Sequence, residues 1–359
     1  MPFLVRTSED VLPSRVAWPF TSTGTWLTFA IVGVSSGAAT WWLESCQASA
    51  ECTANAWTSD FWGEPRPTHD SEYCETYNYG AFMQQHANSL SNLVFCALGL
   101  LVFLCGLADM VRIKSILAAP TDAPYHVENH AILCPIYSFM FGGALLTMGI
   151  FSFAFHAHNT RFTQQMDVGA IFILLNVIMA GAFQLNLDPD GKRSGIIMFR
   201  FVLFVVTFGL SYLMTYYKYS ISTLELMLGQ LAAIGIFILT AVFRRTRLRR
   251  GKDHRLFFRG WRYIFVSVIL LCVGYGMREL GVSLLYCEPD GAFQFHALWH
   301  ALCALSAFLI YLFFRSERMH KPKYVRDQQV LPMRSSARRD PDAPVVYVAG
   351  DVAEARPVY

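Results

Sequence analysis

Eight long apolar segments constrain the fold of this chain more than any other feature. A helix of about 20 apolar residues crosses the hydrocarbon core of a bilayer with its backbone groups satisfied internally. The chain therefore predicts an all-α fold, a polytopic membrane helix bundle with a seven-span core plus one N-terminal hydrophobic segment that is either an anchor or a signal. The predicted segments are residues 25–43, 88–110, 132–155, 167–187, 195–216, 222–243, 262–286 and 293–314.

Composition agrees with a membrane protein and argues against other classes. Of 359 residues, 54% are hydrophobic and 15% are charged, whereas soluble domains carry about 25% charged residues. The formal net charge of +3 is too small to favour a nucleic-acid partner. The sequence identifies no protein partner and no separate soluble domain.

Charges in the loops predict the orientation of the bundle. Residues 244–262 hold nine Arg and Lys, whereas residues 43–81 hold seven acidic residues. By the positive-inside rule the basic loop is cytoplasmic and the acidic loop is extracytoplasmic. The predicted parts are an N-terminal polar segment (1–24), the extra transmembrane or signal-anchor segment (25–43), an extracytoplasmic acidic loop (44–87), a seven-span catalytic bundle (88–314) and a disordered cytoplasmic tail (315–359).

Five polar residues stand out within the apolar segments. Two pairs have the i, i+4 spacing that places side chains on one helix face: Ser152 with His156, and His296 with His300. Asp167 begins the next predicted span, so alternating spans bring all five residues to one depth at the extracytoplasmic side. Polar groups are costly inside a membrane and usually mark a functional site there.

This set of side chains indicates metal-assisted hydrolysis. Three His ligands with an open fourth position are typical of catalytic zinc, predicted here at His156, His296 and His300. Zinc-bound hydroxide would attack a carbonyl carbon, Asp167 would carry the proton, and Ser152 would donate a hydrogen bond to the oxyanion. The chemistry fits amide or ester hydrolysis of a lipid whose scissile carbonyl lies near the headgroup boundary.

Simpler interpretations of the single residues stay open. A histidine near a helix end often only hydrogen-bonds at the interface. Ser152 can bond back to its own helix, and Asp167 can cap the helix that it begins. The combination at one depth favours a site.

Four loop cysteines fall on the predicted extracytoplasmic side, which permits disulfides. Three pairings of Cys46, Cys52, Cys74 and Cys287 are conceivable. We favour Cys74 with Cys287, which would tie the start of the bundle to its last helix, and Cys46 with Cys52 as the second pair.

The pattern Ser152-x-x-x-His156, then Asp167, then His296-x-x-x-His300 resembles that of the alkaline ceramidases, seven-span zinc amidases in a superfamily with the adiponectin receptors. The run from Asn88 to Asn92 is similar to that family's Asn-Thr-x-Ser-Asn segment, and the likeness covers about residues 70–315. It implies hydrolysis of the membrane lipid ceramide to sphingosine and a fatty acid, with the roles given above, in the endoplasmic reticulum or Golgi of a eukaryotic cell.

The resemblance also implies a Ca2+ site in the acidic segment before the first core span. Glu72-Tyr-Cys-Glu75 is similar to the family's Asp-Trp-Cys-Glu segment, but Glu72 replaces Asp, Tyr73 replaces Trp, Asn78 is one residue late and Gln85 stands where Glu is expected. Oxygen donors suit calcium, yet the lower charge predicts weak or absent binding. A solvated acidic loop is the alternative.

Two other functions stay open at this point. The five residues do not distinguish an amidase from a phospholipase or another lipid acyl hydrolase of the same superfamily. A receptor-like seven-span protein with a structural zinc ion is the alternative from another class. The segments around Glu72 and Asn88 favour the ceramidase.

Overall fold

The computed structural model describes residues 22–49, 73–119, 126–127, 129–190, 197–248, 254–283, 285–291, 293–317 and 323–324. Most of the predicted segments 1–24 and 315–359 lies outside these residues, as do Cys52 and Glu72. The helices of the described parts are α1 (Ser22–Gln47), α2 (His86–Ser91), α3 (Leu93–Ala118), α4 (His130–Leu133), α5 (Pro135–Ala157), α6 (Arg161–Leu187), α7 (Ile197–Tyr216), α8 (Thr223–Leu248), α9 (His254–Val282) and α10 (Phe295–Ser316).

Seven helices of the described chain are long and apolar enough to cross a membrane. They are His86–Ile116, Pro135–Ala157, Arg161–Leu187, Met198–Tyr216, Thr223–Arg244, Gly260–Val282 and Phe295–Ser316. Helix α1 forms over the extra hydrophobic segment but is not among the seven. The prediction of an all-α polytopic bundle is confirmed, with one antiparallel two-residue strand pair, β1 (His126–Val127) and β2 (Lys323–Tyr324), beside it.

The third core span starts earlier than predicted. Helix α6 begins at Arg161, and the Thr160 side chain accepts from the Thr163 N–H while the Thr163 hydroxyl accepts from the Thr160 N–H. This capping box forms the start of α6, so Asp167 lies in the second turn and does not cap the helix. The polar run after Arg161 lowers hydropathy without breaking the helix, which explains the misplaced boundary. The alternative of a capping role for Asp167 is wrong.

Helices α5 and α6 form the centre of the bundle. In the most apolar 18-residue stretch of each helix, 56% of the residues of α5 and 67% of those of α6 are buried. The corresponding fractions are 11% in α7 and 17% in α9, which lie at the periphery. Glycines bring α3 close to α5: a Cβ atom on Gly142 would lie 2.8 Å from the Gly99 carbonyl oxygen. Small residues at such contacts are typical of membrane helix pairs.

A buried ion pair joins α3 to the last turn of α10, at the end of the bundle away from the histidines. Arg315 Nη1 lies 2.7 Å from Asp109 Oδ2, and both side chains are fully buried. Arg315 Nη1 also donates to the Tyr311 hydroxyl, which contacts Ser138 on α5 at 3.0 Å. Because the far end of α10 is held in this way, its first turn has a fixed position relative to α3 and α5.

Candidate metal centre

Three buried histidines converge at one end of the bundle. His156 is the penultimate residue of α5, and His296 and His300 lie in the first two turns of α10. Each offers one nitrogen, and these three atoms lie within 4.8 Å of one another. The ring centroids of His156 are 5.0 Å from those of both other histidines. The i, i+4 spacing and the predicted span ends thus bring together the three residues that the sequence singled out.

Hydrogen bonds orient two of the three rings. His156 Nδ1 lies 2.7 Å from Gln85 Oε1, and Gln85 Nε2 donates to the Glu75 carbonyl. His300 Nδ1 lies 2.8 Å from the Ser91 hydroxyl, which donates its proton to the Asn88 carbonyl. Both partners therefore accept from an Nδ1–H group, which leaves the Nε2 atoms of His156 and His300 as lone-pair donors. Metal-binding histidines usually have such an acceptor behind them.

The donor set fits a metal ion. Three imidazoles in a buried site are the ligands of catalytic zinc. His296 Nδ1 is buried and has no hydrogen-bond partner in the described parts of the chain, so this nitrogen is not used by a protein network. The Tyr73 ring covers it, with ring centroids 4.3 Å apart, and so shields this side of the centre.

Ser152 and Asp167 lie together beside the triad. Ser152 is one turn before His156 on α5. Its hydroxyl is close enough to the Asp167 carboxyl group on α6 for an electrostatic interaction between the two. The geometry falls short of a hydrogen bond: within the described residues, Ser152 Oγ and Asp167 Oδ1 have no partner. Buried polar atoms without a partner are uncommon in folded proteins, which makes this pair a candidate for contact with a ligand.

Lys218 adds a positive charge near Asp167. It lies in the turn between α7 and α8, is buried, and has its ammonium 4.5 Å from the centroid of the Tyr219 ring. The Tyr219 hydroxyl donates to the Arg161 carbonyl, which fixes the turn on the first residue of α6. The Lys218 charge attracts the Asp167 carboxylate. This turn therefore keeps a cationic side chain close to the Asp167 carboxyl group.

The predicted calcium residues are already engaged by protein groups. Glu75 accepts from the N–H groups of Ala87 and Asn88, at 2.6 and 2.9 Å. Burial raises the pKa of the Glu75 carboxyl group, and these hydrogen bonds oppose the rise. The Asn78 side chain accepts from the Gly80 N–H. The Gln85 oxygen contacts His156 and the Tyr73 ring contacts His296, and Glu72 is outside the described residues. The calcium site stays a prediction.

A disulfide joins this segment to the start of α10. Cys74 is bonded to Cys287, the pairing favoured from the sequence. The Thr76 N–H donates to the Pro289 carbonyl beside it, and Cys74 has a φ of 70°, a conformation that non-glycine residues rarely adopt. These bonds hold Tyr73 over the histidines. The second pair stays a prediction, since Cys52 lies outside the described residues.

Sequence reasoning missed the residues that support the centre. Gln85 was assigned to calcium, whereas its oxygen accepts from a zinc-ligand candidate. Ser91 belongs to the run from Asn88 to Asn92, so the resemblance was the signal that could have found it. Lys218 is a single cation in a short loop, and nothing in the sequence connects it to Asp167.

Comparison with known proteins gives one family. The family model described as Ceramidase matches residues 65–337, which is more than half of the chain and includes every helix from α2 to α10. No curated protein matches the chain.

Proposed function

The chain belongs to the ceramidase family, and on that premise we propose that it is an intramembrane zinc-dependent amidase that cleaves ceramide to sphingosine and a free fatty acid. Family membership supports hydrolysis of the ceramide amide in general. The zinc ion and the mechanism are supported by one observation above all, the convergence of His156, His296 and His300 in a buried site.

His156 and His300 would bind the ion through Nε2, since Gln85 and Ser91 occupy their Nδ1 atoms. His296 would supply the third nitrogen. When bound, zinc makes water acidic enough to act as a nucleophile near neutral pH and polarises a carbonyl group. Three neutral imidazoles suit zinc better than calcium or magnesium, which prefer oxygen donors.

Asp167 would carry the proton. Its carboxylate accepts a proton from the attacking water and returns it to the amide nitrogen, which leaves as the amine of sphingosine. The Lys218 ammonium would supply a positive charge close to this carboxylate.

Ser152 would stabilise the negative oxygen that forms when the carbonyl is attacked. Its hydroxyl is buried, and it has no acceptor or donor within the described residues. A hydrogen-bond donor to the oxyanion is worth about 10² to 10³ in kcat where it has been removed from other enzymes.

Calcium would be at most a weak ligand of the acidic segment. The oxygens of Glu75 and Gln85 already accept hydrogen bonds from the protein. A cation would have to displace these contacts, which costs binding energy. We propose that the departures from the family pattern reduce the calcium response, and that the metal centre faces the extracytoplasmic side.

Metal analysis and a labelled substrate test the proposal. We expect purified protein to contain about one zinc ion per chain and to release fatty acid from ceramide. His296→Ala removes one ligand and should abolish release and most zinc binding, whereas His86→Ala, at an exposed histidine that pairs with Glu44, should keep both. Zinc-loaded wild-type protein that hydrolyses no ceramide would overturn the proposal.

A further inference from the structure

Asn88 is a fully buried amide whose side chain is unpaired. Its exposed fraction is 0%, and neither Oδ1 nor Nδ2 has a hydrogen-bond partner in the described chain. Buried amides in native proteins are almost always hydrogen-bonded, so each exception needs a reason. Asn88 therefore has a buried hydrogen-bond donor, Nδ2, and a buried acceptor, Oδ1, that no protein group among the described residues satisfies.

The backbone of Asn88 is held firmly. Its N–H donates to Glu75 Oε2 at 2.9 Å, and its carbonyl accepts from the Ser91 hydroxyl and from Asn92 Nδ2 at 2.8 and 2.9 Å. The same carbonyl is near enough to His300 to interact with its ring. The amide is therefore supported by three fixed contacts while its own polar atoms stay unused.

The packing of neighbouring helices places Asn88 at the height of Ser152 along α5. Gln85 contacts His156 at the end of α5, and a Cβ atom on Gly149 would lie 2.9 Å from the Asn92 carbonyl oxygen, two turns earlier on α5. The chain from α2 into α3 thus runs antiparallel to α5. Asn88 lies midway between Gln85 and Asn92, which is the level of Ser152.

We propose that the Asn88 side chain recognises the amide of the substrate and selects amides over esters. Oδ1 accepts from the scissile N–H group, and Nδ2 donates to the hydroxyl on the neighbouring carbon of the sphingoid chain. A vicinal amido-alcohol presents this donor and acceptor side by side, as one carboxamide requires. The inference rests on the proposed function and deepens it, since the five residues alone leave amide and ester unresolved.

An ester analogue tests this directly because its oxygen replaces the N–H group and cannot donate. When the ester is bound, Asn88 Oδ1 stays buried without a hydrogen-bond donor. This lost hydrogen bond lowers the transition-state stabilisation of the ester relative to the amide. We expect Asn88→Leu to lower kcat/KM for ceramide by about 10- to 100-fold. The loss on the matched ester should be smaller, so the amide-to-ester ratio falls about tenfold. Asn176→Leu is the control, since that buried amide bonds to Ser211 and Gln230 away from the site.

The outcomes separate this inference from the proposed function. Wild-type protein that hydrolyses ceramide, with an unchanged amide-to-ester ratio in Asn88→Leu, would overturn the assignment of Asn88 alone. Wild-type protein that hydrolyses neither compound would remove both. If Asn88→Leu does not fold, equilibrium binding of the two compounds to zinc-free wild-type protein decides: tighter binding of the amide supports the inference, and equal binding refutes it.

Discussion

Replacing Gln85 with Leu should weaken zinc binding without removing a zinc ligand. Gln85 is fully buried, and its side chain bridges His156 Nδ1 at 2.7 Å and the Glu75 carbonyl at 3.2 Å. Leu has similar volume but no polar atoms, so His156 loses the acceptor that holds its tautomer and its orientation. Loss of such an outer contact typically costs 10- to 100-fold in metal affinity, about 1.4 to 2.7 kcal/mol.

The assay is a zinc titration against a chelator of known affinity, with purified protein in detergent. Gln84→Leu is the matched control, because Gln84 is also buried but contacts His158 and the Asn159 N–H. We expect Gln84→Leu to bind zinc like the wild type, and Gln85→Glu, which keeps an acceptor, to lose less than Gln85→Leu. Equal zinc affinity in Gln85→Leu and the wild type would refute the role assigned to this contact.

Four further predictions follow from described contacts. Arg315→Leu leaves Asp109 buried without its partner and should lower the free energy of unfolding by about 3 to 5 kcal/mol; replacing both with apolar residues should cost much less, and equal losses would contradict this. Gly142→Ala forces α3 and α5 apart and should lower the free energy of unfolding by about 1 to 3 kcal/mol. Gly143→Ala places its methyl group in open space and should leave the free energy of unfolding unchanged. Cys74→Ser removes the disulfide and should cost about 2 to 5 kcal/mol; mass mapping without reductant should find the bond in the wild type, and free thiols there would refute it. Burial lowers the pKa of His158, so the unfolded chain binds its proton more readily and stability should fall as pH drops below about 6.5; a pH-stability curve that His158→Gln leaves unchanged would argue against this.

The sequence predicted the parts of the site that depend on helix periodicity. His296 and His300 lie on one face because they are four residues apart, and alternating spans bring them level with His156. These relations need only the helix repeat and the thickness of a bilayer. The same reasoning misplaced the start of α6, because hydropathy reports contact with lipid, whereas Thr160 caps the helix seven residues before the predicted span begins at Asp167.

The supporting contacts depend on packing, and the sequence alone does not determine them. Gln85 and His156 are 71 residues apart, and Ser91 and His300 are 209 residues apart. Each contact requires the relative height of two helices to within about one turn. That height is set by features such as the close approach of Gly99 to Gly142 and the ion pair at Arg315, which no local pattern reveals. The contact between Gln85 and His156 was therefore not predicted.

X-ray absorption at the zinc edge tests the central claim most directly, because it reports the atoms around the ion in the intact protein. The three histidines predict three nitrogen ligands at about 2.0 to 2.1 Å with imidazole scattering, and one further light ligand. His296→Ala should lose one imidazole from this pattern. Sulfur ligands at about 2.3 Å, or a spectrum that His296→Ala leaves unchanged, would contradict a zinc centre built from His156, His296 and His300.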